Sequence, residues 1–178
     1  MNWEFTDSIP GSFTYVNAAA YYTNAYHICI RNLMPRFVEV GVDQGRSSSV
    51  ILQAMNDAMC KGLLILVDSW ESVLADNKER VVKLANQFVN RTIILHKKSV
   101  DAASNVTDKS VHMLLIDADH TKPDEDCKLW LPKLKPGGIA CFHDYDSSWV
   151  KVKPAVDEYT SHWENLGDWD GLAVRRKP

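Results

Sequence analysis

A chain of 178 residues, 46% of them hydrophobic and 24% charged, with a formal net charge of -3, suits one soluble core, so a single domain over residues 1–178 is expected. Scattered lysines and a weakly acidic balance exclude the clustered basic surface on which nucleic-acid binding rests. No apolar run of about 18 or more residues is present to cross a bilayer, and Met1-Asn2-Trp3-Glu4 lacks the basic-then-apolar pattern of a leader. The expected location is cytoplasmic, with neither nucleic acid nor membrane as partner. Cys29, Cys60, Cys127 and Cys141 are too widely separated to signal a zinc cluster or a disulfide framework, and they are expected to be reduced, packed thiols.

Residues 1–12 are turn-rich and read as an arm. From Val16, apolar positions at Ala19, Ala20, Cys29, Ile30 and Leu33 predict an amphipathic helix that ends before Pro35. Phe37–Val40 is the first strand. Ser47 or Ser48 is placed to cap the helix that follows, whose apolar set is Val50, Ile51, Ala54, Met55, Ala58 and Met59, and Gly62 is placed to stop it. Leu63–Asp68, an apolar run closed by a carboxylate, reads as a strand buried on both faces. Asp76 and Glu79 predict a capping box for a helix carrying Val81, Val82, Leu84, Ala85 and Phe88.

Strands three and four are predicted at Thr92–Leu95 and Val111–Ile116, and the next helix carries Cys127, Trp130, Leu131 and Leu134. Pro136-Gly137-Gly138 turns the chain into a fifth strand, Ile139–Phe142, before a helix from about Val150 to Tyr159. Trp163–Gly167 and Leu172–Arg176, separated by Asp168-Trp169-Asp170-Gly171, predict an antiparallel hairpin. Arg175-Arg176-Lys177 reads as a solvated edge, Trp130 as core, and Trp149, Trp163 and Trp169 as packing at the base of the hairpin, with an acceptor pocket as the alternative. His27, His96, His112 and His162 have no motif around them and are expected on surfaces or in packing.

This alternation predicts an α/β fold: a doubly wound, mostly parallel sheet with helices on both faces and a C-terminal antiparallel hairpin. Such sheets bind ligands at their carboxyl edge. Glu39, Asp68, Asp117, Asp119, His143 and Asp144 all fall at or beyond the carboxyl ends of predicted strands. The turn Glu39-x-Gly41-x-x-x-Gly45 is not the glycine pattern of nicotinamide enzymes and lacks the Lys-Ser/Thr of a P-loop. With Asp68 ending the second strand, where an acid can hold ribose hydroxyls, it suggests an adenosine ligand.

Val38-Glu39-Val40-Gly41 with Gly45, Val67-Asp68-Ser69-Trp70, Ile116-Asp117-Ala118-Asp119-His120, and Pro136-Gly137-Gly138 leading to His143-Asp144-Tyr145 occur in that order. In this combination the chain, from Arg36 to Tyr159, resembles the Rossmann-like class I S-adenosylmethionine methyltransferases, within them the catechol, caffeoyl-CoA and antibiotic-sugar O-methyltransferase group. The resemblance implies that Glu39, Gly41 and Gly45 hold the methionine end of S-adenosylmethionine and that Asp68 holds its ribose. Ser99 then lies near the adenine ring, as a helix cap in the alternative, and Trp70 covers that ring.

Metal-dependent members hold a divalent ion at positions matching Asp117, His143 and Asp144. Magnesium or manganese is the implied ion, with iron or zinc as the alternatives, because His143 departs from an oxygen-only set. Asp119 or His120 is the implied catalytic base, Asp119 matching the base position of the sugar-modifying relatives. The expected reaction is methyl transfer to a hydroxyl of a small molecule or sugar. A metal-dependent hydroxylase-like relative and a non-catalytic nucleoside- or partner-binding domain remain alternatives. Met1–Tyr26 or a neighbouring subunit is expected to enclose the acceptor, and a homodimer is the simplest symmetric assembly.

Overall fold

Leu63–Asp68 (β2) and Val111–Ile116 (β4) are apolar on both faces, and such strands are stable only between two layers of helix. The computed structural model describes residues 4–71 and 75–178; the start at residues 1–3 lies outside them. Arg36–Val40 (β1), Thr92–His96 (β3), Leu134–Phe142 (β5), Glu164–Trp169 (β6) and Leu172–Arg176 (β7) complete a seven-stranded sheet of order β3-β2-β1-β4-β5-β7-β6. The strands β1 to β5 run parallel, and β7 pairs antiparallel with both β5 and β6. Strand order reverses between β1 and β4, and that reversal opens a crevice at the carboxyl edge.

The period of two along each strand divides the core. Phe37, Leu64, Leu66, Met113 and Leu115 face Tyr15–Arg31 (α2), Arg46–Asp57 (α3) and Ala75–Gln87 (α4). Val38, Val40, Ile65, Leu114 and Ile116 face the layer that holds Ser99–Ala102 (α5), Pro123–Trp130 (α6) and Val152–Thr160 (α7). A short helix, Glu4–Asp7 (α1), precedes these. Among the described residues no helix is long and apolar enough to cross a membrane.

Several predicted details move. The residue capping α3 is Gly45 in a left-handed conformation, and Ser47 and Ser48 lie inside the helix with their hydroxyls turned elsewhere. Gly62 does not stop α3. The reversal is at Met59 (φ 50°), where Met59 N–H donates to the Asn56 carbonyl and Cys60 N–H to that of Met55, both at 2.9 Å. Met59 is 85% exposed, so its side chain contributes little to compensate the left-handed backbone. Met59→Gly is expected to stabilise the fold by about 1 kcal/mol, read as a rise in the denaturant midpoint at constant slope; an unchanged or lower midpoint would contradict this.

Asp76 sits within the first turn of α4 and not before it, so it complements the helix dipole instead of capping. Leu134 opens β5, since the helix before it tightens into a 3₁₀ turn at Leu131–Lys133. On α2 the buried face is Asn17, Ala18, Tyr21, Ala25 and Cys29, leaving Ile30 exposed, and the helix ends at Arg31, before the exposed Leu33. The hairpin closes on two residues, Asp170 and Gly171, both at positive φ, so β6 extends to Trp169. Arg175 is not a solvated edge residue. It is 5% exposed, with Nη1 donating to Asn165 and Asp168 and its guanidinium over the Tyr145 ring.

This hairpin anchors the segment before α2. Thr14 caps α2 and its hydroxyl donates to Asp170 at 3.1 Å, while Asn17 Nδ2 donates to the Trp169 carbonyl at 3.1 Å. The arm is thereby led across the carboxyl edge of the sheet.

Candidate active site

The carboxyl ends of β1 and β4 come so close that a side chain cannot fit between them. Gly41 (φ 87°) lies against the Asp117 peptide, where a β-carbon would be 1.8 Å from the Asp117 carbonyl oxygen. The Asp117 N–H donates to the Val40 carbonyl at 2.8 Å, and the Gly41 N–H to that of Val67 at 2.9 Å. Gly45 supplies the left-handed turn that starts α3 and packs against Val81 and Leu84 of α4.

Glu39 points beneath this turn and is fully buried. The Ser47 and Ser48 hydroxyls donate to its two oxygens, so Ser47, which lines the cleft above, separates the acid from any ligand. Burial pushes the Glu39 carboxyl up from 4.5 to about 8, against the lowering effect of those two hydroxyls. An acid whose folded pKa is raised stabilises the fold fully below its unfolded pKa. That contribution is lost as pH rises from about 4.5 through about 8. Glu39→Gln, which mimics the protonated acid, is expected to flatten the decline of stability over this window. Parallel pH–stability curves for the two proteins, measured by denaturant titration, would contradict it.

Asp68, at the end of β2, accepts the backbone N–H groups of Val42 at 2.8 Å, Asp43 at 2.9 Å and Trp70 at 2.7 Å. Its carboxylate thus fixes the β1 turn as well as lining the cleft. Trp70 lies elsewhere than expected. Its backbone turns back (φ 47°), its indole N–H donates to the Asp43 carbonyl at 2.8 Å, and the ring is 8% exposed in the core, so Ser69 and Glu71 line the cleft in its place.

Ser99 opens α5, and its hydroxyl does not cap that helix. It donates to Asp126 and accepts from the Trp130 indole at 2.8 Å. Asp126 is a cleft residue that sequence reasoning missed: it is buried, and burial outweighs the Ser99 hydrogen bond to raise its carboxyl above the ordinary range. The available signal was an acid one helical turn before Trp130 on the buried face of α6.

At the ends of β4 and β5 two carboxylates and two imidazoles converge. His120 Nε2 lies 3.2 Å from Asp117 and 2.9 Å from Asp144. His143 Nδ1 is 3.4 and 3.6 Å from the same two acids, yet it is buried with no hydrogen-bond partner of good geometry. Ligand atoms of Asp117, His120 and Asp144 all lie within 4.8 Å of one another. Of the expected set Asp117, His143 and Asp144, the two acids thus converge with His120, which the turn after β4 carries inward, while His143 lies beside that group and not within it.

Burial acts to raise the Asp117 carboxyl, but hydrogen bonds and charge from His120 and His143 hold it below the ordinary range. Hydrogen bonding to Asp117, against burial, lifts His120. Burial opposes the lift of His143, and the two acids overcome it. Asp119 is exposed at the rim, and Thr121 donates to its Oδ1 through the backbone at 2.9 Å and through the hydroxyl at 2.6 Å, which lowers its carboxyl. Trp149 stacks on His120 with ring centroids 4.9 Å apart, beside the acid and imidazole cluster and not at the base of the hairpin.

Gly41, Ser47, Asp68, Ser99, Asp117, Asp119, His120, Asp126, His143 and Asp144 border one cleft of about 710 Å³, which Gly45 supports from behind. Its volume falls within the range of about 300 to 1,000 Å³ common for small-molecule sites. Pro10 to Phe13 form one wall, held by Arg46, whose guanidinium donates to the Gly11 carbonyl at 2.8 Å and lies over the Phe13 ring.

The family model described as a methyltransferase domain matches residues 38–145, more than half of the chain. One curated relative, the uncharacterized protein y4gI of Sinorhizobium fredii, is 29% identical over 117 residues; the match covers 61% of this chain and 13% of that protein's length. The SAH-bound methyltransferase PaMTH1 of Podospora anserina superposes with a TM-score of 0.73 at 13% identity, covering 99% of this chain and 86% of that one. CalS11, a TDP-rhamnose 3'-O-methyltransferase of calicheamicin biosynthesis, superposes at 0.66 with 13% identity, covering 91% and 79%. Those two likenesses establish the fold, and the family match establishes the kinship: the chain belongs to the S-adenosylmethionine-dependent methyltransferase family.

Proposed function

We propose that the chain transfers the methyl group of S-adenosylmethionine to a hydroxyl oxygen of a small molecule or sugar. The observation that carries this reading is the Asp117, His120, Asp144 and His143 cluster, set in the same cleft as the glycine turn of β1. The methionine end of the donor would rest on Gly41 and Ser47, with Glu39 acting through Ser47. Asp68 would take the ribose hydroxyls, and Ser99 and Asp126 the adenine side. The acceptor would lie against the acid and imidazole cluster under Pro10 to Phe13. CalS11, by its name a sugar O-methyltransferase, supports the choice of acceptor.

Transfer is an in-line displacement: the acceptor oxygen forms a bond to the methyl carbon as the carbon–sulfur bond breaks, and its electrons remain on sulfur. Holding the two reactants in line is the main contribution of the cleft, since orientation is worth about 7 to 11 kcal/mol in favourable intramolecular cases. The acceptor proton must leave. Oδ2 of Asp119 makes no hydrogen bond to the described residues and is the oxygen assigned to take it.

The buried, unpartnered His143 Nδ1 beside two carboxylates fits a divalent ion held by Asp117, His120 and Asp144 with His143. Such mixed nitrogen and oxygen donors suit manganese, iron or zinc better than magnesium. When bound, the ion would act as a Lewis acid on the acceptor hydroxyl. The same imidazoles favour one second reading, an iron-dependent hydroxylase-like activity. Iron-dependent turnover without S-adenosylhomocysteine production would decide for it.

Asp119→Asn tests the proton assignment, because the amide keeps an oxygen for Thr121. We expect turnover to fall about 100-fold or more with S-adenosylhomocysteine affinity unchanged. Unchanged turnover, measured as S-adenosylhomocysteine released with a panel of phenolic and sugar acceptors, would remove Asp119 from the chemistry.

A further inference from the structure

At the opposite edge of the sheet, where β4 and β5 begin and β7 ends, a second concavity of about 370 Å³ opens beside the end of α2. It shares no lining residue with the cleft. Arg31, Lys135 and Arg176 border it together with His27 and His112, and no carboxylate does. Glu164 holds Arg176 at 2.7 Å, whereas Arg31 and Lys135 have no acidic partner among the described residues.

Lys135 and His112 meet in a way that satisfies neither. The Arg36 backbone N–H donates to His112 Nδ1 at 3.1 Å, which places the lone pair on Nδ1 and the ring proton on Nε2. Lys135 Nζ lies 3.3 Å from that Nε2, so one donor faces another. Burial, with the charges of Lys135 and Arg36, holds His112 below its ordinary range and keeps the ring neutral. An oxygen-rich anion between Lys135 and His112 would give both donors an acceptor.

The C-terminus of α2 works against an anion, because the helix dipole leaves about half a negative charge there. Asn32 covers part of it: its side chain donates to the Ile28 carbonyl at 2.8 Å and its backbone N–H to that of Cys29. Arg31 offsets the remainder, leaving Lys135 and the half-neutralised Arg176 in excess. Guanidinium forks and a lysine point charge match the several oxygens of a phosphate, and the concavity has room for more than the phosphate alone.

We propose that this concavity binds a small phosphate-bearing molecule, with Arg31, Lys135 and Arg176 contacting its oxygens and the His112 Nε2–H as a fourth donor. The ligand would lie across the sheet from the transferred methyl group, so it acts as an effector or an anchor and not as the methyl acceptor. Phosphate binding rests on these residues alone, and only the effector or anchor role rests on methyl transfer in the cleft.

Pyrophosphate is the probe. Calorimetry at about 50 mM salt is expected to show saturable binding to the wild-type chain, weakened about tenfold or more in Lys135→Gln and in Arg31→Gln. Both variants are expected to bind S-adenosylhomocysteine as the wild type does, which controls for folding. In NMR titrations pyrophosphate is expected to raise the pKa of His112 in the wild type and to leave it unmoved in Lys135→Gln, a shift that binding elsewhere would not produce. No saturation up to about 10 mM pyrophosphate, wild-type affinity in both variants, or an unmoved His112 in the wild type would each overturn the proposal.

Discussion

Gly41→Ala is expected to lower the melting temperature by about 8 °C or more and to remove measurable binding of S-adenosylhomocysteine. The new β-carbon would stand 1.8 Å from the Asp117 carbonyl oxygen, 2.4 Å from its carbon and 2.9 Å from Ala118 Cα, all backbone atoms between paired strands. None can move alone, because the Asp117 N–H is bonded to the Val40 carbonyl and the Gly41 N–H to that of Val67. The backbone at φ 87° adds strain for any residue with a side chain. A cost of about 4 kcal/mol or more follows, and about 2 to 4 °C per kcal/mol is typical at this chain length. A change in melting temperature under about 2 °C, with binding retained, would show that β1 and β4 do not approach as described.

Asp117→Asn is expected to cut turnover about 100-fold or more while S-adenosylhomocysteine affinity stays within about threefold. The amide keeps the shape and an acceptor for His120, but removes the charge that lifts both imidazoles. The stability effect has a defined window. Asp117 is depressed, so its contribution is present above its ordinary 3.8 and is lost as pH falls through the lowered value. His120 and His143 are raised, so theirs is present below 6.5 and is lost as pH rises through the lifted values. Between these limits all three are charged, and there the variant is expected to lose most stability. Equal losses at pH 5 and pH 9 in denaturant titrations would show that charge pairing is not what the cluster contributes.

The sheet is legible in the sequence because its strands are unbroken apolar runs, which leave little choice of register once β1 and β4 are set against each other. The glycines are legible because Gly41 and Gly45 both require positive φ. What escapes is decided by tertiary contact. Trp70 follows Asp68 by two residues, yet the left-handed turn at Trp70 swings its ring under the Asp43 carbonyl and out of the cleft.

His120 and His143 cannot be ranked as metal ligands from spacing, since the turn held by Asp119 and Thr121 is what carries His120 to both acids. Asp126 is hidden because an acid in the first turn of a helix has an ordinary reading as a dipole complement. The serines after Gly45 read as caps until the buried Glu39 beneath them supplies a stronger partner.

In the proposed function one cleft holds the methyl donor on the β1 and β2 side and the chemistry on the β4 and β5 side. Calorimetric titration with S-adenosylhomocysteine tests it most directly, on the wild type, Asp68→Ala and Asp117→Asn. Saturable binding to the wild type, a loss of about tenfold or more in Asp68→Ala, and near-native affinity in Asp117→Asn are expected. Equal losses in the two variants, or no binding to the wild type at about millimolar ligand, would contradict it.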